Sequence, residues 1–256
     1  MYVDPRPGRE FAIAAYGSER KWSSDSDVYR SAGRRNVFDR LERHLRAFNQ
    51  GRPGRLLDVG CGDGGFMDFM AGRGWSAQGC DINVDLVAQN RERGLAVSLC
   101  SIEDLSTFEG TYEAVTLLNT LGYATDPLNG LRMVASRLRP GGVVGIEDPN
   151  PSFHLLAGRL LGSKSARTMT VAPSPPRRLF AFSARAYPFL LSKAGLEPLL
   201  VAPSPPRHEG TIPLRILRSV AYGLGNLPAA LSGHGALMTP SLLVYGRAKI
   251  DPLTED

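Results

Sequence analysis

Between residues 55 and 146, short apolar runs alternate with longer stretches in which apolar residues recur at helical spacing. Arg55–Val59 is an apolar run ending in Gly60, which predicts a buried strand. Glycines 60, 62, 64 and 65 make a turn, and Phe66, Met67, Phe69 and Met70 then recur at helical spacing as far as Gly72. Residues 76–80 predict a second strand ending at Asp81, and Asn83 caps a helix that closes at Gly94. Residues 96–100 and 114–118 predict the third and fourth strands. Asp126 and Pro127 open a helix through Leu138, closed by Pro140, Gly141 and Gly142, and residues 143–146 predict the fifth strand. Strand and helix alternating at this pitch predict a parallel, doubly wound α/β sheet with right-handed crossovers.

The flanks follow other patterns. Val37, Leu41, Leu45 and Phe48 fall on one face of a helix over residues 34–48. Residues 1–33 are polar and irregular, with Tyr16 and Trp22 as isolated aromatics. Residues 152–161 and 184–193 predict helices, and 196–201 and 242–248 two further strands. The heptapeptide Val-Ala-Pro-Ser-Pro-Pro-Arg occurs at 171–177 and again at 201–207. Such proline-rich pieces are stiff, extended connectors, and no similarity extends beyond the seven residues.

A chain of 256 residues can bury a full core without disulfides or a structural metal. It contains no run of about eighteen apolar residues, so no membrane span is expected. Cys61, Cys80 and Cys100 are odd in number and lack a CxxC spacing. No disulfide framework or zinc cluster is therefore expected, and a cytoplasmic location is. The net charge of +5 divides unevenly: +5 over residues 1–55, −7 over 56–150 and +7 over 151–256. An acidic middle between two basic flanks suits a cationic ligand better than a nucleic acid.

The turn after the first strand carries the chemistry. Gly60, Gly62 and Gly65 fit the GxGxxG of a dinucleotide site, and Asp58-x-Gly60-x-Gly62-x-Gly64 fits a nucleoside-binding turn. In both, glycines let the backbone approach the ligand. A carboxylate two residues before the first glycine would repel a pyrophosphate and organise an ammonium group, and Asp81 on a strand tip suits two ribose hydroxyls.

Leu57-Asp-Val-Gly-Cys-Gly-Asp-Gly64, Asp81, Ile102-Glu-Asp-Leu105 and Leu138-Arg-Pro-Gly-Gly142 resemble, in order and spacing, the class I S-adenosylmethionine-dependent methyltransferases. Residues 146–151, 178–183 and 190–196 resemble a bacterial subgroup that includes quinone-biosynthesis O-methyltransferases and enzymes of natural-product and glycan clusters. The resemblance covers residues 55–200 well, the last strand moderately and residues 1–33 hardly at all. It implies a Rossmann-like seven-stranded sheet with the last strand antiparallel, and S-adenosylmethionine as cofactor, leaving S-adenosylhomocysteine as product. The expected organisation is an N-terminal lid and helix over residues 1–54 and a methyltransferase domain over 55–256, with a helical insert near 207–238.

Roles follow by position in the resemblance. Asp58, Gly60, Cys61 and Gly62 would hold the methionine part, Asp81 the ribose, and Ile82 the adenine. Ile102 and Glu103 would border the adenine edge, and Asn119 would stand near the methionine group and the acceptor. Two departures stand out: Ser101 replaces an aspartate common in relatives, and Gly122-Tyr123 replaces a Glu-His pair after the fourth strand. His154 is the candidate base, and Tyr123 the candidate acceptor contact. Asp148 and Asn150 would orient the acceptor; no metal is expected. Arg34 or Arg35 would reach the cofactor carboxylate, Tyr16 and Trp22 would close as a lid, and His44, His208 and His234 would lie on the surface.

The expected reaction is O-methylation of a small-molecule acceptor, apolar, anionic or both, in specialised metabolism. N- or C-methylation, RNA methylation and a non-catalytic cofactor-fold protein are the alternatives. Residues 211–238, with Ile212, Leu214, Ile216, Leu217, Val220, Leu224, Leu227 and Leu231, would pack on the sheet, pair a homodimer, cover a lipophilic acceptor or touch a membrane surface.

Overall fold

Leu56, Leu57, Asp58 and Val59 are all buried, as a strand covered on both faces requires. This strand, β1 (Arg55–Val59), runs parallel to β2 (Ser76–Asp81) on one side and β4 (Tyr112–Leu118) on the other. The sheet is completed by β3 (Val97–Leu99), β5 (Leu138–Pro149), β6 (Leu196–Pro203) and β7 (Ser241–Ala248). In this computed structural model, which describes residues 32–161, 178–205 and 239–250, the strand order is β3-β2-β1-β4-β5-β7-β6. β7 pairs antiparallel with both β5 and β6, as the resemblance implies.

Among the described residues the α-helices are α1 (Ala32–Phe48), α2 (Gly65–Ala71), α3 (Val84–Glu92), α4 (Pro127–Arg137), α5 (Pro151–Leu161) and α6 (Ala186–Lys193). Val37, Leu41 and Leu45 of α1 pack with Phe66 and Met70 of α2 and with Leu243 and Tyr245 of β7. Each of these buried side chains contributes roughly 1.5–3 kcal/mol. Leu131 and Val134 of α4 join Tyr187 and Leu191 of α6 in a separate cluster. Asn83 accepts from the Leu86 N–H, and Asp126 from the Asn129 N–H with Pro127 in the first turn, so both expected caps form. Each is worth about 1 kcal/mol.

The fifth strand is longer than expected. Pro140-Gly141-Gly142, read as a helix-closing loop, lies inside β5 as a bulge, since Tyr112 pairs with Leu138 and Ala114 with Val143. His44, expected on the surface, is half-buried with its ring 5.1 Å from that of Tyr245. The partly shielded site lowers its pKa, first through burial and then through Arg40 and Arg43. Tyr16, Trp22, His208, His234, the first proline segment and the 207–238 insert lie outside the described residues. Among the described residues no helix is long and apolar enough to cross a membrane.

Candidate functional site

The chain leaves β1 towards β2 and β3 and then returns to β4 on the other side of β1. Ligands in open α/β sheets bind at such reversals, beyond the carboxyl ends of the strands. Asp58, Asp81, Asn119, Glu147 and Asp148 all lie at or just beyond those ends.

The glycine turn is fastened to β2, where the Gly60 and Cys61 N–H groups both donate to the Cys80 carbonyl, at 2.7 and 2.9 Å. Gly60 has φ 74°, and a Cβ there would lie 2.7 Å from Thr120 Cγ2. Gly62 has φ 55°, and a Cβ there would meet nothing within 4 Å. The first glycine is demanded by the protein's own packing. The second leaves space that the described residues do not fill.

Beside that space the Gly62 N–H donates to Asp81 Oδ2 and the Asn83 N–H to Asp81 Oδ1, each at 2.9 Å. Both oxygens are thereby oriented, and each retains a lone pair for a hydroxyl donor. Burial raises the Asp81 pKa, while the N–H groups of Asn83, Gly62 and Ile82 pull it down. Asp58 lies beneath the turn, 1% exposed, with Oδ1 accepting from Thr116 Oγ1 at 2.6 Å. Burial pushes its carboxyl up to about 7 against the Thr116 hydrogen bond; Asp81 and Asp63 push the same way and Arg34 the other. Acids under-compensated by cations, beside an open space, fit a ligand with a cationic end and neighbouring hydroxyls.

A second cluster occupies the ends of β4 and β5. Asn119 is a non-glycine residue at φ 60°, a conformation that costs about 1–2 kcal/mol. It is held there by Glu147: the Asn119 N–H donates to the Glu147 carbonyl at 2.7 Å, and Asn119 Nδ2 to Glu147 Oε2 at 2.8 Å. The same Oε2 receives Arg34 Nη2 at 2.8 Å, both side chains being at most 2% exposed. Asp148 accepts from Arg178 Nη1 at 3.0 Å and from the Tyr187 hydroxyl at 2.9 Å. Arg178 Nη2 reaches the Asn119 carbonyl and Oδ1, both at 3.3 Å, and its guanidinium lies 4.9 Å from the Tyr123 ring centre. Burial opposes the Arg178 charge, but Asp148 outweighs it and the pKa is raised.

His154 Nε2 lies 3.0 Å from the Pro240 carbonyl. A carbonyl only accepts, so Nε2 carries the hydrogen and, in the neutral ring, Nδ1 carries the lone pair. Burial lowers the His154 pKa; the Pro240 hydrogen bond raises it and the Arg178 charge lowers it. The ring is therefore neutral near pH 7.

The structure brings Asp58, Gly60, Cys61, Gly62 and Asp81 together around the turn, with Ile82 half-buried beside Asp81. Ile102 is 5% exposed and packs in the core, its Cγ1 3.0 Å from where a Cβ on Gly130 would sit. Glu103 Oε1 accepts from the Thr125 N–H at 2.8 Å and its hydroxyl at 3.0 Å, fastening the loop before α4. Asn119 and Tyr123 gather around Arg178, which sequence reasoning left without a role, as it did Glu147, Thr116 and Tyr187. The signal for Arg178 was the Gly122-Tyr123 departure: a Cβ on Gly122 would meet Arg178 Nη1 and lie 2.8 Å from the Phe180 carbonyl. Among the described residues no group of three or more His, Cys, Asp or Glu is placed to hold a metal ion.

Residues 29–201 match the family described as "Methyltransferase domain". The ubiquinone biosynthesis O-methyltransferase of Xanthomonas campestris pv. campestris (strain B100) is 34% identical over 120 residues, which are 44% of this chain and 50% of that protein. The enzyme of the same name from Aeromonas salmonicida (strain A449) is 32% identical over 111 residues, 40% of this chain and 47% of that protein. The chain thus spans about half the length of the curated relatives it matches. Among solved structures, the plantazolicin methyltransferase BpumL, in complex with a desmethylPZN analog and SAH, superposes with TM-score 0.64 at 15% identity, covering 93% of each chain. A SAM-dependent methyltransferase from Archaeoglobus fulgidus gives 0.58 at 19% identity, over 90% of this chain and 100% of that one. The [4+2]-cyclase SpnF gives 0.55 at 20% identity, over 83% and 82%. These three share the fold.

Proposed function

The chain belongs to the methyltransferase-domain family and has the class I S-adenosylmethionine-methyltransferase fold, and from that premise we propose that it transfers the methyl group of S-adenosylmethionine to an oxygen of a small-molecule acceptor. The observation that carries the reading is the space left over Gly62 beside Asp81, whose carboxylate two backbone N–H groups hold in place. When bound, S-adenosylmethionine supplies an electrophilic methyl group on a sulfonium. Gly62 and the Asp58 carboxyl beneath it would accommodate the amino-acid end, Asp81 the ribose and Ile82 the base.

The remaining work falls to the protein's own groups. Glu147 holds Asn119 at the boundary between cofactor and acceptor, and Tyr123 and Arg178 line the acceptor side. For a hydroxyl acceptor, Nδ1 of the neutral His154 is the group available to take the proton. Fixing both reactants in one geometry is the larger part of catalysis for an in-line displacement.

An oxygen acceptor is supported by the relatives named as O-methyltransferases. RNA is the weaker reading, because Asn119-Thr-Leu-Gly122 stands after the fourth strand where many base N-methylating enzymes carry an Asn/Asp-Pro-Pro-Tyr/Phe sequence. A second reading, a cofactor-fold protein with other chemistry, draws on the likeness to a [4+2]-cyclase. A cytoplasmic location, an N-terminal lid and helix over residues 1–54 and self-association through 207–238 belong to the same proposal. Incubation with methyl-labelled S-adenosylmethionine and a panel of phenols, enols and carboxylic acids tests it. Labelled product in step with S-adenosylhomocysteine is expected; cofactor binding with no transfer to any oxygen acceptor favours the second reading.

A further inference from the structure

The Arg178 guanidinium has five N–H donors, and its partners are Asp148 Oδ1 and the two oxygens of Asn119. The two bonds to Asn119 leave from one nitrogen and are 3.3 Å long. The loop carrying Arg178 is fixed, since the Leu179 and Phe180 N–H groups both donate to the Gly122 carbonyl, at 2.8 and 3.0 Å. Gly122, lacking a Cβ, is what lets the guanidinium pass over the turn and come to rest by Tyr123. The Arg178 side chain is 13% exposed and that of Asp148 3%, so the cation keeps an edge towards the rim while its counter-ion does not.

The carboxylates here are already engaged. Asp148 holds Arg178 and Tyr187, and Glu147 holds Arg34 and Asn119. Among the described residues the rim therefore presents a fixed, permanently charged guanidinium next to an aromatic face, with the Asp148 and Glu147 carboxylates already engaged. A guanidinium fork matches a planar carboxylate, and an aromatic face matches a flat apolar body.

Resting on the methyl-transfer reading above, we propose that Arg178 and Tyr123 form a binding site for the carboxylate of a planar organic acid, and that this carboxylate is the methyl acceptor. One carboxylate oxygen is held by Arg178. The other donates a lone pair to form the new O–CH3 bond while the S–CH3 bond breaks and its electron pair stays on sulfur. The products are a methyl ester and S-adenosylhomocysteine. No proton moves, because the acceptor is ionised before it binds, and His154 has nothing to remove.

The test is calorimetric titration of the full chain, loaded with S-adenosylhomocysteine, with benzoate and with the isosteric benzamide. A charge-assisted contact predicts that benzoate binds at least about tenfold more tightly than benzamide. In Arg178→Gln that preference disappears, while S-adenosylhomocysteine affinity stays within about threefold of wild type, roughly the loss of one weak neutral contact. Tyr123→Leu, which leaves the Arg178–Asp148 pair in place, weakens both probes together and guards against a Gln variant that does not fold. In the labelled-methyl assay, label transferred to carboxylic acids is released as methanol by mild alkali. Equal affinity for benzoate and benzamide, a preference surviving in Arg178→Gln, or label confined to alkali-stable ethers overturns the proposal. Failure of wild type to bind S-adenosylhomocysteine overturns the methyl-transfer reading instead.

Discussion

Gly60→Ala and Gly62→Ala alter two glycines of one turn, at φ 74° and 55°, in opposite surroundings. Both substitutions place an L-residue in the left-handed region, which costs about 1–2 kcal/mol. For Gly62→Ala nothing else is added, since a Cβ there meets no atom of the described residues within 4 Å. At roughly 2–4 °C per kcal/mol for a chain of this size, its Tm falls by about 2–8 °C. For Gly60→Ala the Cβ lies 2.7 Å from Thr120 Cγ2, and overpacking adds about 1–3 kcal/mol. Binding follows the reverse order of selectivity. The methyl added by Gly62→Ala enters the space assigned to the cofactor, and the same overpacking range now falls on the complex, about 5- to 150-fold in affinity. Calorimetric melting and titration with S-adenosylhomocysteine measure the two effects separately. A Gly62→Ala protein that binds like wild type, or melts as low as Gly60→Ala, refutes the assignment of that space.

Three other outcomes follow. Burial pushes Asp58 from 3.8 to about 7, so the folded, cofactor-free protein keeps a proton that the unfolded chain releases; its stability falls as pH rises through that interval, by about 4 kcal/mol in all. Asp58→Asn, which keeps an oxygen for Thr116, is expected to be more stable than wild type above pH 7, with the gap narrowing towards pH 4; parallel urea unfolding curves at all pH values would speak against it. Glu147→Gln removes the carboxylate that pairs with the buried Arg34, and urea unfolding should show a loss of about 3–5 kcal/mol; a loss under about 1 kcal/mol would mean that the pair is not formed in solution. Burial raises the Cys61 thiol, a hydrogen bond to Cys100 and burial raise that of Cys80, and the same bond lowers Cys100. Iodoacetamide on the folded protein should therefore modify Cys100 first by peptide mapping, and earlier modification of Cys61 or Cys80 would contradict the packing.

The strands were legible because burial on both faces leaves an unmistakable trace: 55–59 and 114–118 are apolar runs bounded by turn residues. The caps at Asn83 and Asp126 were legible because capping is local chemistry. The Asp58-to-Gly64 turn and Asp81 were legible for a related reason, since a close backbone approach and a strand-tip carboxylate constrain residue type at fixed spacing. Glu103 shows the limit: the resemblance implies a place at the adenine edge, and the structure adds that Oε1 fastens the loop at Thr125, a partner 22 residues away that no local pattern announces. Arg178 shows it more strongly. Its partners are Asn119 and Tyr123 after β4 and Asp148 on β5, two places well before it in the chain, and it follows a proline-rich stretch without periodicity. Asn119 carried no sequence sign of its left-handed backbone, which depends on Glu147 from the neighbouring strand. Long-range polar networks of this kind are set by sheet register, here Leu118 opposite Glu147, and become visible only once strands are paired.

Titration of S-adenosylmethionine into wild type and Asp81→Ala bears most directly on the cofactor site from which the rest follows. Wild type is expected to bind one equivalent, and Asp81→Ala to bind at least about tenfold more weakly, since hydrogen bonds from two hydroxyls to one carboxylate contribute about 1.5–3 kcal/mol each. No binding by wild type, or an unchanged affinity in Asp81→Ala, would contradict it.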